Sequence, residues 1–414
     1  MPAGELPTQI VDFLLSTEGA RRLEAAATLP LTEKSRLADL SLLRRTLPPE
    51  QAGAVLEQAT LRRRGGAKFA RAAAMLFTAA GLQQASAEPV AAHRAARFAG
   101  RRVADLTCGI GGDSLALAAT AARLLALDRD PARLRLARHN LAVYEREAAC
   151  ICADLLAPPL LAGSYDAAFC DPGRRGEEGR RIFSPADYEP PLNAILDRYA
   201  GIDLAVKVAP GIDYTDLLGY DAQNEGPVAE VEIVSWQGDV KEAVLWTRGL
   251  ATRSVCRRAT LLPAGATLTD ADAPDACPVT PPQAYLYEPD GAVVRAGLVR
   301  PLAQRLGLAQ IDPQIAYLTG PEAVVTPFAR GFQVDEVHPF NLKLLNRRLS
   351  ALQVGTVELK KRGMALEPEA LRPRLKLHGP AARTIIFTRL GTEPRMLICR
   401  PIERGPTGVS NPGC

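Results

Sequence analysis

Val103 to Ser114 is the stretch that most constrains the fold. Val103 to Leu106 is a short apolar run interrupted by one carboxylate, Asp105. Thr107 and Cys108 follow, then Gly109, Gly111 and Gly112, and an Ala/Leu-rich helical pattern begins at Ser114. A strand, a glycine turn and a helix in that order open a doubly wound α/β sheet. The glycines let the backbone approach a ligand at dihedral angles that a Cβ would forbid.

Two ligand classes compete for such a turn. A dinucleotide fingerprint needs Gly-x-Gly-x-x-Gly to seat a pyrophosphate on a helix N-terminus. Here Ser114 stands in place of the third glycine, and Asp105 and Asp113 flank the turn. Carboxylates repel a pyrophosphate but attract the sulfonium and ammonium of S-adenosylmethionine, directly or through water. The pattern Asp-x-x-x-Gly-x-Gly-Gly therefore favours a methyl donor, with Asp105, Cys108, Gly109, Gly111 and Gly112 lining its site.

The next strands supply further acidic ends. Leu124 to Leu127 leads into Asp128-Arg129-Asp130-Pro131, and Pro131 suits the first turn of a helix that continues to Tyr144. A carboxylate at the end of the second strand accepts a ribose hydroxyl pair. Asp128 is the first candidate and Asp130 the second, with capping of the helix as the other reading of Asp130. The third strand, Ala149 to Ala153, ends at Asp154-Leu155, placed to accept from an adenine amino group and to cover its ring.

The fourth strand, Asp166 to Cys170, delivers Asp171-Pro172-Gly173-Arg174-Arg175 to the carboxyl edge of the sheet, where open α/β sheets bind ligands. A carboxylate held in an Asp-Pro turn can orient an amino group's lone pair toward a methyl carbon. Asp171, Pro172 and Arg174 are the catalytic candidates, the arginine stacking on a base or binding a phosphate. Cys170 precedes this turn and is not read as a nucleophile. Helix 190–199, a fifth strand 204–208, and a final pair, 228–236 and 241–248, complete a seven-stranded pattern.

Residues 1–98 read as a helical region, 99–250 as the methyl-transfer domain, 251–325 as a connecting segment, 326–405 as a basic module and 406–414 as a tail. Within the connection, 264–283 reads as a loop, 285–291 as a strand and turn, and 293–306 as one helix. Arg62 to Arg71 reads either as a solvated face or, with Phe69 and Phe77, as a nucleic-acid contact. From Asn341 to Arg404, fourteen Lys and Arg face five Glu, although the whole chain carries only +4. A cationic face on a small α/β module suggests RNA. The eight cysteines have no Cys-x-x-Cys spacing, so neither a metal site nor a disulfide framework is expected. No apolar run reaches about eighteen residues and no basic leader precedes an apolar segment, so the cytoplasm is expected.

These motifs resemble bacterial class I S-adenosylmethionine-dependent methyltransferases that end in a THUMP-like domain. The resemblance is carried by 105–113, 128–131 and 171–175, with Gln84-Ala-Ser, 90–98, 236–246, 357–363 and 375–379. The glycine segment is also similar to that of trimethylguanosine synthases, which methylate an exocyclic guanine amine. The resemblance implies a Rossmann-like sheet, S-adenosylmethionine, and an RNA substrate, tRNA or rRNA, methylated on a base nitrogen. The usual second proline and aromatic of amino-methylating enzymes are replaced here by Gly173 and Arg174. Two rivals stay open: a methyltransferase for a protein or small molecule, and a non-catalytic protein that binds donor and RNA.

Overall fold

Parallel strands covered by helices on both faces are apolar along their whole length, and the central strands of this chain have that character. The computed structural model describes residues 6–161, 163–173, 188–212, 229–271, 274 and 276–402. Two compact units make up the chain: Met1–Ala229 with Ala243–Thr252, and Glu230–Glu242 with Arg253–Cys414.

The first unit begins with six helices, α1 (Thr8–Leu15), α2 (Thr17–Ala26), α3 (Arg36–Leu43), α4 (Pro49–Gly65), α5 (Ala79–Gln84) and α6 (Glu88–Ala95). Then come β1 (Arg102–Asp105), α7 (Gly112–Thr120), β2 (Arg123–Asp128), α8 (Pro131–Val143), β3 (Ala149–Cys152), β4 (Ala167–Cys170), α9 (Leu192–Arg198) and β5 (Asp203–Val208). Two strands follow, β6 (Ala229–Trp236), which apart from Ala229 belongs to the second unit, and β7 (Asp239–Thr247), which belongs to the first from Ala243 on. The parallel order is β3-β2-β1-β4-β5, and β7 runs antiparallel beside β5 from Trp246 to Ala243. All seven expected strands form. The chain moves outward from β1 to β3 and then restarts at β4, on the other side of β1. A crevice therefore opens at the carboxyl ends of β1 and β4.

The N-terminal helices share a core with the sheet's helices. Ile10, Leu14, Val55, Phe69 and Phe77 form one buried cluster with Leu115, Leu136 and Leu141. Asn140 of α8, wholly buried, donates to the carbonyls of Leu76 (2.9 Å) and Ile110 (2.8 Å) and accepts from the Leu76 amide. One side chain thus joins the helical region to the glycine turn. In the basic stretch 62–71, Arg63, Arg64 and Arg71 are exposed, and several of the cations also bond the chain's own carbonyls. Arg62 donates to Met75 and Ala74 carbonyls, Arg63 to those of Leu29 and Pro30, and Lys68 to those of Leu82, Gln83 and Ala85. Phe69 and Phe77 pack together inside the core.

In the second unit β6 is parallel to β8 (Arg257–Leu262), which is antiparallel to β9 (Ala266–Thr269). The remaining strands are β10 (Tyr285–Pro289), β11 (Ala309–Asp312), β12 (Ile315–Gly320), β13 (Ala329–Pro339), β14 (Val354–Lys361), β15 (Ala381–Leu390) and β16 (Glu393–Pro401). They form one sheet in the order β11-β12-β10-β13-β16-β15-β14. Helices α10 (Gly291–Arg295), α11 (Val299–Leu306), α12 (Leu342–Ala351) and α13 (Pro368–Leu371) accompany them. Residues 251–325, expected as a connection, thus carry strands β8–β12. β9 falls within the stretch read as a loop. The single helix expected over 293–306 is two helices, because Gly297 takes a left-handed turn with φ +68° between them. On one face of the seven-stranded sheet Leu345 and Leu349 of α12 pack with Ile385, Phe387 and Met396; on the other, Leu286, Tyr317 and Phe332 pack with Ile386 and Leu397.

Candidate active site

The glycine turn is built by positive backbone angles. Gly109 has φ +54° and Gly111 φ +87°. A Cβ on Gly111 would lie 3.2 Å from the Ala137 Cα, so α8 packs where only hydrogen fits. A Cβ on Gly109 would meet nothing within 4 Å, so the turn borders open space there. The turn is anchored by the Cys108 amide to the Leu127 carbonyl (2.7 Å) and by the Gly109 amide to Asp128 Oδ2 (2.9 Å).

The carboxylates divide into distinct jobs. Asp105 is fully buried and accepts from Ser114 Oγ at 2.5 Å; its carboxyl is pushed up to about 7, mainly by burial, with Asp113 and Asp128 adding to the rise. Asp128 accepts the Gly109 amide on one oxygen and the Asp130 amide (2.9 Å) on the other, and burial raises its carboxyl above the ordinary value. Asp130 caps α8 by accepting from the amides of Ala132 (2.8 Å) and Arg133. Its capping reading is therefore the one its hydrogen bonds express. Asp154 is exposed and accepts the Leu156 amide, while Leu155 is buried and its carbonyl accepts the Tyr199 hydroxyl at 2.5 Å.

Asp171 follows β4 at the same edge, and its amide donates to Thr107 Oγ1 at 2.7 Å. Its carboxylate meets Lys207 Nζ at 2.7 Å, with the lysine side chain only 4% exposed. Lys207 Nζ also donates to Ser86 Oγ at 3.2 Å. Next to this pair, buried Arg94 of α6 bonds Asp113 and lies 4.7 Å over the Phe169 ring. Burial works against ionisation of Asp113, but Arg94, Lys207 and Ser86 outweigh it and hold the carboxyl below its usual value. Pro172 leads to Gly173, whose backbone exchanges hydrogen bonds with Glu189 (3.2 and 3.1 Å). Arg174 and Arg175 lie outside the described residues. Burial raises the Cys170 thiol well above its usual value, as suits a packed side chain beside the site and not a nucleophile.

Asp105, Asp113, Asp128 and Asp171 thus come to one crevice, below a turn whose amides and open face suit a nucleotide-like ligand. Arg94 balances Asp113 there and Lys207 balances Asp171. Lys207, Ser86 and Arg94 were not assigned to the site from sequence. The signal available was a lone lysine at the end of an otherwise apolar strand.

Fold and site together define a class I, Rossmann-like methyltransferase. The chain belongs to the S-adenosylmethionine-dependent methyltransferases and carries a C-terminal THUMP-like domain. Residues 103–173 match a methyltransferase domain family, 329–401 the THUMP domain-like family, and 8–65 a domain of unknown function. Uncharacterized S-adenosylmethionine-dependent methyltransferases of Mycobacterium tuberculosis strains CDC 1551 and H37Rv are each 44% identical over 365 residues, covering 85% of this chain and 98% of theirs. A crystal structure of a candidate methyltransferase from Porphyromonas gingivalis W83 is similar with a TM-score of 0.73 at 25% identity, covering 90% of this chain and 99% of that one. The protein is an enzyme whose cofactor, S-adenosylmethionine, supplies an electrophilic methyl group. Among the described residues no helix is long and apolar enough to cross a membrane.

Proposed function

We propose that the enzyme methylates a base nitrogen, exocyclic or in the ring, of tRNA or rRNA in the cytoplasm. The donor lies over Gly109 to Gly112 beside Cys108, with Asp105 and Asp128 on its charged and ribose sides and Asp154 and Leu155 about its adenine. Asp171, held by the Pro172 turn, accepts a hydrogen bond from the acceptor nitrogen and orients its lone pair at the methyl carbon. Arg174 contacts the base or a phosphate.

One observation carries the RNA reading. Nine of the fourteen cations between 341 and 404 are neutralised within the unit, including Arg348 by Glu336, Lys360 by Glu288, Arg383 and Arg400 by Asp335, and Arg389 by Asp312. Among the described residues of that window, four have no ion pair: Lys343, Arg347, Arg374 and Lys376. All four are exposed, and they gather on one feature. Lys343, Arg347 and Lys376 line an open cleft of about 440 Å³ with Asn346 and His378. Asn346 ties the segment carrying Arg374 and Lys376 to α12, through the Arg374 carbonyl (3.0 Å) and the Lys376 amide (2.8 Å). Exposed cations without carboxylates on a stitched surface suit a phosphate backbone.

The test is transfer of tritiated methyl from S-adenosylmethionine to total RNA from a strain lacking the protein, with Asp171→Ala as control. Label entering RNA with wild type alone supports the reading. Donor binding without labelled RNA overturns it, and directs attention to a protein or small-molecule acceptor.

A further inference from the structure

Lys207 is 3% exposed at the end of a strand whose other inner residues are apolar. A buried ammonium is costly unless it is paired and hydrogen-bonded. Here it bridges two segments far apart in sequence: Asp171, 36 residues earlier, and Ser86, 121 residues earlier, in the helical region. Asp171 is held a second time, by its own amide on Thr107 of the glycine turn.

We propose that Lys207 is a positioning residue for methyl transfer, locking the Asp171 carboxylate in its acceptor-facing orientation, with Ser86 as the strut that holds the lysine. The N-terminal region then completes the acceptor side of the site as well as packing against the sheet. This rests on the reading of Asp171 as the residue facing the acceptor.

Lys207→Met keeps the length and apolar body of the side chain and removes the ammonium. Single-turnover transfer to RNA should fall by about 100-fold, the scale of a misplacement of about 1 Å, while donor affinity by calorimetry stays within about twofold. Ser86→Ala withdraws one bond each from Lys207, Arg94 and Asp113 but leaves each its ion-pair partner, and should lower kcat by about 10-fold at unchanged donor affinity. Transfer at the wild-type rate in Lys207→Met overturns the proposal, as does a loss accounted for by weaker donor binding. If Lys207→Met does not fold, Ser86→Ala decides: unchanged kcat overturns the proposal. If wild type methylates no RNA, the substrate reading fails and crystal structures of the variants decide this one separately. An Asp171 carboxylate turned away from its wild-type position supports it, and one that has not moved overturns it.

Discussion

The Gly109 amide donates to Asp128 Oδ2 at 2.9 Å, so the carboxylate that ends β2 holds the turn that follows β1. Its other oxygen accepts the Asp130 amide, which sets the entry to α8. Two neighbouring loops therefore depend on one side chain that is 7% exposed.

Asp128→Ala strands both amides and should cost about 1–3 kcal/mol of stability with at least about a tenfold loss of donor affinity. Asp128→Asn should also destabilise, because an amide offers one acceptor oxygen where two are used. Thermal melts and calorimetry of both variants check this; an Asn variant as stable as wild type would remove Asp128 from this role.

The carboxyl of Asp105 stands near 7 instead of its ordinary 3.8. A raised acid binds its proton more tightly in the folded state, so the unliganded protein loses stability from this group as pH climbs from about 4 to 7. Asp105→Asn removes that dependence, and its melting temperature relative to wild type should rise across this window. The positive charge of S-adenosylmethionine favours the carboxylate, so donor binding near pH 7 should release a proton and tighten toward pH 8. Calorimetry in buffers of different ionisation enthalpy reads the proton directly.

Gly109 and Gly111 both take left-handed angles, yet their alanine variants should differ. Gly111→Ala meets the Ala137 backbone at 3.2 Å and should lose stability beyond the roughly 1–2 kcal/mol of a left-handed alanine. Gly109→Ala places its methyl in open space above the turn and should cost that amount alone, with a larger loss of donor affinity. Melting and donor titration of the pair separate the two effects.

Lys343→Gln, Arg347→Gln and Lys376→Gln combined should reduce the slope of log affinity for RNA against log salt by about 2–3, at roughly 0.7–0.9 per phosphate contact. Donor binding should not change. Arg395→Gln, whose arginine already pairs with Glu393, should leave the slope as it was. An unchanged slope in the triple variant would sink the cleft as the RNA-binding surface.

The sheet and its acidic edge are legible in the sequence because their causes are local. Apolar runs, glycine turns and Pro131 each act within a few residues, so strands β1 to β7 and the carboxylates at their ends can be read in order. What each carboxylate bonds is set at longer range. Asp130 reads in sequence both as a ribose acceptor and as a cap, and in the fold it accepts two α8 amides and pairs with Arg133. The surplus of cations between 341 and 404 overstated the free charge, because Glu288, Asp312, Asp335 and Glu336 lie outside that window and reach it across strands.

By itself the sequence determined a doubly wound sheet with an acid-lined, glycine-floored edge, since backbone propensity and burial pattern act along the chain. The tertiary structure alone decided that Lys207 meets both Asp171 and Ser86, that Arg94 meets Asp113, and which four of the described cations between 341 and 404 keep no carboxylate. Parallel strands pair only after long crossovers, so side chains tens of residues apart become neighbours through packing that no local pattern records.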